Sequence, residues 1–169
     1  MTEAASQNPV HAAALRRMTP EDRDWVVDRH GALYSDLFGW GEDFRAVVAA
    51  ICDEFLLRPD SEDERGWIAE IAGRPAGCIA MCRRSDEEAQ LRLLIVDESA
   101  RGRGVGRLLV ERCVGHARRR GYKRMVLWTN AELTGARRLY ASAGFRPVEA
   151  EVVEQFGSRW VSEIWRLEF

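Results

Sequence analysis

Apolar residues along this chain recur at two periods, and the switches between them mark its elements. Phe44, Val47, Val48, Ile51 and Phe55 fall on one stripe of helical period, which predicts a helix over EDFRAVVAAICDEFLL that stops before Arg58-Pro59. An earlier helix, from about Pro20 to Ser35, is signalled by Thr19 as N-cap, Pro20 at the first helical position and Asp22 three residues after the cap. Two short apolar segments, RGWIAEIA and GCIAMCR, flank the turn GRPA and read as a hairpin, and QLRLLIVD is a third strand. Val105, Leu108, Leu109, Cys113 and Ala117 form a further helical stripe that runs to Gly121, a natural C-terminal cap. KRMVLWT is a strand, and NAELTGARRLYASAG a helix with Thr129 and Glu132 as its capping box. The remaining stretch gives two strands around Gly157. Residues 1–14 lack periodicity and read as a loose, flexible tail, and SEDER reads as a solvated acidic loop. The order of helices, hairpin, strand, helix, strand, helix and two strands, with no repeat and no linker, predicts one α/β domain with a mixed sheet over residues 15–169.

A length of 169 residues suits one core that needs no metal or disulfide staple. Hydrophobic residues make up 46% and charged residues 31%, and the formal charge of -2 gives no bulk attraction to nucleic acid. No apolar stretch approaches the roughly 20 residues of a membrane span, and the N-terminus lacks the basic start and apolar core of a signal peptide. A cytoplasmic protein with no membrane partner is expected. Cys52, Cys78, Cys82 and Cys113 never form a C-x-x-C pair and read as small core residues. His11, His30 and His116 are equally dispersed, so no metal is expected. The basic run ARRRGYKR, residues 117–124, reads as a solvated helix end whose cations favour the C-terminal dipole, not as a nucleic-acid site.

Candidate chemistry enters at DESARGRGVGRLL, where Arg101, Gly102, Arg103, Gly104, Val105, Gly106 and Arg107 join an apolar strand to a helix. Amides that open a helix point outward unpaired, and the dipole adds roughly half a positive charge there. Glycines let a ligand approach those amides and arginines supply countercharge, so a diphosphate is a natural guest. The spacing is G-x-G-x-G, which lacks the dinucleotide fingerprint, and no Gly-Lys followed by Ser or Thr makes a Walker loop.

RGRGVG fits the pattern R/Q-x-x-G-x-G/A, and ARRLYASAGF fits A-x-x-x-Y-x-x-x-G-F. With these two motifs the chain resembles the GNAT superfamily of N-acetyltransferases from about Leu15 to the C-terminus. More narrowly, WVVDRHGALYSDLFGW, LWTN and the closing aromatic residues look like the acetyltransferase half of bacterial fusions with a MarR-type DNA-binding regulator, a half for which this length leaves no room. The resemblance implies a mostly antiparallel sheet flanked by helices, acetyl-CoA as cosubstrate, and a bulged strand LRLLIVD that splays from RMVLWT. Pantetheine would pair with backbone at Leu94, Ile95 and Val96, the pyrophosphate would sit over Arg101–Arg107, and an amide near Leu94 would face the thioester oxygen. Tyr140 stands at the family's tyrosine position and is the expected general acid, its alternative being a place in a core stripe with Leu133, Ala136, Leu139 and Ala143.

Other positions depart from the family. Leu133 stands where many members carry a coenzyme-contacting asparagine, which leaves Asn130 as a substitute or simply as part of a helix start. An alkylammonium with a pKa of about 10.4 leaves only on the order of one molecule in a thousand nucleophilic at neutral pH, so a base or a desolvated pocket is needed. Some relatives use a glutamate where this chain has the neutral Gln90. His30 and Glu70 are the remaining candidates, with Tyr34 and Trp40 as walls of an acceptor pocket. The expected acceptor is a primary amine of a small molecule or a peptide, attacked directly, because Cys113 belongs to a helix core. A noncatalytic acyl-CoA sensor and a detached regulatory or interaction module are the alternatives. The resemblance and the apolar C-terminal strands also allow a homodimer.

Overall fold

A computed structural model describes residues 12–58 and 61–169. The strands are β1 (Ala14–Arg17), β2 (Arg65–Ile71), β3 (Arg74–Arg83), β4 (Glu88–Val96), β5 (Arg124–Asn130), β6 (Arg146–Gln155) and β7 (Ser158–Glu168). The helices are α1 (Arg23–Phe38), α2 (Glu42–Leu56), α3 (Val105–Arg119) and α4 (Thr134–Ser142). The strands join one seven-stranded sheet in the order β1-β2-β3-β4-β5-β7-β6, in which only the β4–β5 pair is parallel.

Four expectations need correction. The tail expected over residues 1–14 lies outside the described residues up to His11, and Ala14 already belongs to β1, which is too short to announce a period. The first helix starts as a turn of 3₁₀ helix, Pro20–Asp22, before α1 runs three residues past the predicted end to Phe38. On α2 the buried stripe is Phe44, Val48, Cys52 and Phe55, while Val47 faces outward at 44% exposure. Thr129 caps nothing because it lies within β5; the Asn130 side-chain oxygen accepts from the Glu132 amide at 2.9 Å, and α4 opens later.

The two faces of the sheet hold two cores. One gathers α1 and α2 over Ile68, Cys78, Ala80, Leu93 and Ile95. The other packs α3 and α4 over Ile79, Met81, Ala89, Leu91, Met125 and Leu127. Along β4 the inward parity therefore changes: Ala89 and Leu91 face α3, whereas Leu93 and Ile95 face α1 and α2. A bulge causes the change, since β3 pairs Cys78 with Ile95 but Ala80 with Arg92, and Leu93 takes a left-handed φ of +55°. This explains why the run LRLLIV shows no clean alternation.

The entry to α1 is anchored by charge. The Thr19 amide donates to the Asp22 carboxylate at 2.8 Å, and Arg16 bridges Asp22 at 2.7 Å and Glu70 at 2.6 Å. Burial would raise the Asp22 pKa, but the Arg16 guanidinium and the Thr19 amide outweigh it and hold the carboxyl below its ordinary value. The basic run around residue 120 is likewise engaged: Arg120 meets Asp63 at 2.8 Å, Arg124 meets Glu88 at 2.8 Å, and Arg118 lies over the Phe169 ring.

Trp40 fixes the far end of the molecule. Its ring is 3% exposed, packs against Tyr34, Phe38, Phe44, Phe156 and Trp160, and donates from Nε1 to the Ser158 hydroxyl at 2.7 Å. The turn between β6 and β7 is thereby held against α1 and α2.

Two outcomes follow from this packing. A Cβ at Gly77 would stand 2.9 Å from the Ile95 carbonyl oxygen and 3.1 Å from Leu109, so Gly77→Ala should cost about 1–3 kcal/mol in urea denaturation by pushing α3 off the sheet. His30 is buried, its Nδ1–H donates to the Val26 carbonyl at 2.8 Å, and burial lowers its pKa to about 4. Between an unfolded pKa near 6.5 and that value the unfolded chain binds a proton the folded chain does not, so stability falls as pH drops. His30→Gln should flatten this dependence between about pH 7 and 5 by up to about 1.4 kcal/mol per pH unit.

Candidate functional site

The bulge that switches the face of β4 also turns the strand away from β5. Their parallel pairing covers Glu88↔Arg124, Ala89↔Met125 and Gln90↔Val126, and then stops. From Leu94 to Val96 the β5-facing edge of β4 has no strand beside it among the described residues, while the opposite edge stays paired through Cys78↔Ile95 and Gly77↔Val96. The result is a wedge-shaped slot with free backbone polar groups along one wall, since a strand edge without a partner keeps its N–H and C=O groups available.

At the open end of this slot the chain forms a cradle. Asp97 caps a 3₁₀ turn, Glu98–Ala100, by accepting from the Ser99 amide at 3.1 Å, and its other carboxylate oxygen meets Arg29 of α1 at 3.2 Å. Gly102 and Gly104 then take φ of +72° and +77°, Gly104 stands at the N-cap of α3, and its carbonyl accepts from the Leu108 amide at 3.0 Å. A Cβ on either glycine would meet nothing within 4 Å, so their requirement is the left-handed backbone, and the space above them is open. Gly106 differs: its Cβ would stand 3.0 Å from Leu139, which makes it a packing glycine between α3 and α4. The first-turn amides of α3 have no intrahelical acceptor and point into the cradle's opening. Arg101 and Arg103 flank it at exposed positions, and Arg107 pairs along the helix with Glu111 at 2.7 Å.

Tyr140, on α4, belongs to the core beneath α3 and α4. Its ring is 5% exposed and packs against Phe145 and Trp165. Burial pushes its hydroxyl well above the ordinary tyrosine value, and nearby Tyr34 and Cys113 add to the rise, so the group stays a proton-bearing donor at any physiological pH. At the end of β5, Asn130 is 3% exposed, and its side-chain Nδ2 is a buried donor with no hydrogen-bond partner. Such an orphan is costly unless a ligand satisfies it.

The residues expected to border the acceptor divide. Tyr34 is half-buried, stacks on Phe44 at 4.4 Å and on His30 at 6.4 Å, and burial lifts its pKa to about 12. His30 is 5% exposed with its Nδ1 committed to the Val26 carbonyl at 2.8 Å, and burial lowers its pKa to about 4. Trp40 is core rather than a pocket wall because aromatic rings cover it. Glu70 is spent on Arg16 at the sheet edge, two strands from β4, and is not at the slot.

Two residues not singled out from the sequence stand at the apex of the slot. Arg92 and Gln90 line a cavity of about 70 Å³ with Cys82 and with Ile51, Glu54 and Phe55, three residues of α2. Trp128 of β5 is 42% exposed beneath the Arg84 guanidinium, 4.7 Å from its ring centre. The available signal was an arginine within the otherwise apolar run LRLLIV and a tryptophan in a short strand. Among the described residues no group of three or more His, Cys, Asp or Glu side chains gathers as metal ligands would.

Comparison with known proteins bears on this geometry. The model of the acetyltransferase (GNAT) family matches residues 18–145. An uncharacterized N-acetyltransferase of Methanocaldococcus jannaschii is 34% identical over 155 residues, covering 87% of this chain and 66% of that protein. N-acetylaspartate synthetase of Danio rerio is 36% identical over 83 residues, 48% of this chain and 29% of that protein. The chain thus spans just under two thirds of the first relative and less than a third of the second. Among solved structures, a GNAT-family acetyltransferase of Staphylococcus aureus superposes with a TM-score of 0.75 at 14% identity, covering 93% of this chain and 99% of that one. A putative acetyltransferase from Salmonella typhimurium, solved with its cofactor acetyl-CoA, gives 0.72 at 19% identity, covering 92% and 93%. These structural likenesses establish a shared fold, and with the family model matched over residues 18–145 the chain belongs to the acetyltransferase (GNAT) family.

Proposed function

We propose that this protein transfers an acetyl group from acetyl-CoA to a primary amine of a small molecule or peptide, by direct attack and without a covalent enzyme intermediate. The observation that carries the reading is the union, in one slot, of an unpaired strand edge and a glycine cradle at a helix N-terminus. The residues fit such a cosubstrate: Gly102 and Gly104 leave the cradle open, the α3 amides and Arg101 and Arg103 offer positive potential to a pyrophosphate, and Leu94, Ile95 and Val96 offer backbone to pantetheine. Val105 and Gly106 contribute their amides, Arg107 adds charge from the second rank, and Asn130 supplies its orphaned Nδ2–H.

The thioester supplies an acyl carbon that an uncharged amine can attack. As the carbon–nitrogen bond forms and the carbon–sulfur bond breaks, the amine loses one proton and the sulfur gains one. The Leu94 amide faces the developing oxyanion, held rigid by the bulge, and this costs no reorganisation during reaction. Tyr140 holds the proton that the departing sulfur takes up. No side chain is assigned to deprotonate the incoming ammonium, so reaction draws on amine already neutral in solution; the proton that its nitrogen sheds as the carbon–nitrogen bond forms passes through water and restores the Tyr140 hydroxyl.

Kinship to the acetyltransferase half of the MarR-type fusions rests on the segment from Trp25 to Trp40, whose aromatic residues build the cluster around Trp40. Assembly as a homodimer is supported by Val148, Val152 and Val161, which expose apolar surface on β6 and β7. A cytoplasmic location agrees with the lack, among the described residues, of a helix long and apolar enough to cross a membrane.

Two variants test the reading. Gly104→Val forces a β-branched residue into φ +77° and should weaken coenzyme A binding in calorimetry by about tenfold or more, with circular dichroism unchanged; unaltered affinity would remove the cradle from the site. Tyr140→Phe should lower kcat by about 10²-fold in a thiol-release assay while coenzyme affinity stays within about threefold. An unchanged kcat would refute the general-acid role.

A further inference from the structure

The acceptor leaves a mark of its own at the apex of the slot. Strands β4 and β5 part after Gln90↔Val126, and two residues further along each strand stand Arg92 and Trp128. Trp128 lies opposite in parity to Leu127, which faces α3, so it points to the α1–α2 side. Arg92 shares that side, because it lines the cavity against α2 and because the bulge sets Leu93 there as well. Both side chains therefore border the place where an amine must meet the acyl carbon near the Leu94 amide.

The charge at this place has an uncommon arrangement. Arg92 is half-buried, its side chain reaches the Cys82 sulfur, and it has no ion pair to a carboxylate among the described residues. Glu64 also lines this cavity, but neither it nor the other nearby acids pairs with Arg92. Glu88 is shared between Arg84 at 3.3 Å and Arg124 at 2.8 Å, and Glu64 holds Arg58 at 3.3 Å. Glu54 borders the cavity from the exposed flank of α2. A half-buried guanidinium without a counter-ion is a desolvation cost that a bound oxyanion offsets through two parallel charge-assisted hydrogen bonds. Arg84, laid over the Trp128 ring, adds a second cation beside the same opening.

We propose that the acceptor is a small amine that also carries an oxyanion, a carboxylate or a phosphate, and that Arg92 holds this anion while Trp128 and Arg84 wall the site. The proposal rests on the acetyl-transfer reading above and names the acceptor for it. It also bears on the missing base: a guanidinium close to an ammonium favours the uncharged amine, so the positive field increases the nucleophilic fraction without a proton acceptor. A polyamine, which brings only positive charge, is disfavoured by the same field.

Thiol release by the full chain with acetyl-CoA is measured for two matched pairs, glycine with glycinamide and glucosamine 6-phosphate with glucosamine, and for spermidine. One anionic member is expected to exceed its uncharged partner in kcat/KM by about tenfold or more, the responding pair showing whether a carboxylate or a phosphate is read. Arg92→Gln should bring that ratio towards unity chiefly through KM, Arg92→Lys should restore part of it, and coenzyme A affinity in calorimetry should stay within about twofold. Equal or better use of the uncharged partners or of spermidine, or a ratio that survives Arg92→Gln, overturns the proposal while leaving acetyl transfer intact. Coenzyme binding without thiol release from any of the five amines overturns the acceptor assignment too. Failure of coenzyme A to bind removes the acetyl-transfer reading itself, and this proposal with it.

Discussion

One backbone irregularity organises this molecule: the left-handed residue Leu93 in the middle of β4. A β-branched or bulky residue at positive φ is strained, and Leu93 is held there by the pairing with β3 on either side of the bulge and by the core under α1 and α2 that receives its side chain. The bulge rotates the strand's inward set by one residue, so a single strand feeds both cores. It also ends the ladder with β5 after three pairs, which opens the slot. The packing of the two layers and the opening of the slot are thus products of the same two torsion angles. Gly77 belongs to this arrangement, since it lets α3 approach the paired edge of β4 closely enough to seat the cradle.

Around the slot the interior is built from groups that burial keeps uncharged. Tyr140 and Tyr34 are pushed up and His30 is pushed down, each by loss of solvent. Charged groups sit at the perimeter, with Arg29 and Asp97 at the cradle and Arg84, Glu88 and Arg92 at the apex. A dry neutral centre strengthens the field of the few dipoles that point into it, chiefly strand amides and the α3 terminus.

Much of this was legible in the sequence. The stripes on α2 and α3, the hairpin of β2 and β3, and the paired strands around Gly157 follow from local periods and turn residues, which act over a few positions. What stayed hidden is non-local. Strand β1 has four residues and exists because β2 offers a free edge. Thr129 resembles a cap by its spacing to Glu132, but pairing with β7 claims it for a strand. At the candidate site, the glycine segment and Tyr140 are proposed from motif and position, whereas Trp40 is suggested by its place after the first helix and Glu70 by residue type. Contacts to Ser158 and to Arg16, at sequence separations of 118 and 54, give them structural work instead. Arg92 was overlooked for the converse reason: an arginine in an apolar run is meaningful only once the parity of the bulge is known.

The strand order carries a consequence for how the protein is made. β5 has three pairs with β4, its earlier neighbour, and seven with β7, which ends one residue before the C-terminus. During synthesis from the N-terminus, the half of the sheet ahead of β5 can close on its own antiparallel ladders, but the far wall of the slot is secured only after β7 has emerged to pair with β5. Competence to bind is therefore acquired only once β7 has been made, and a chain that lacks Ser158–Glu168 would keep the cradle and lose the wall opposite it.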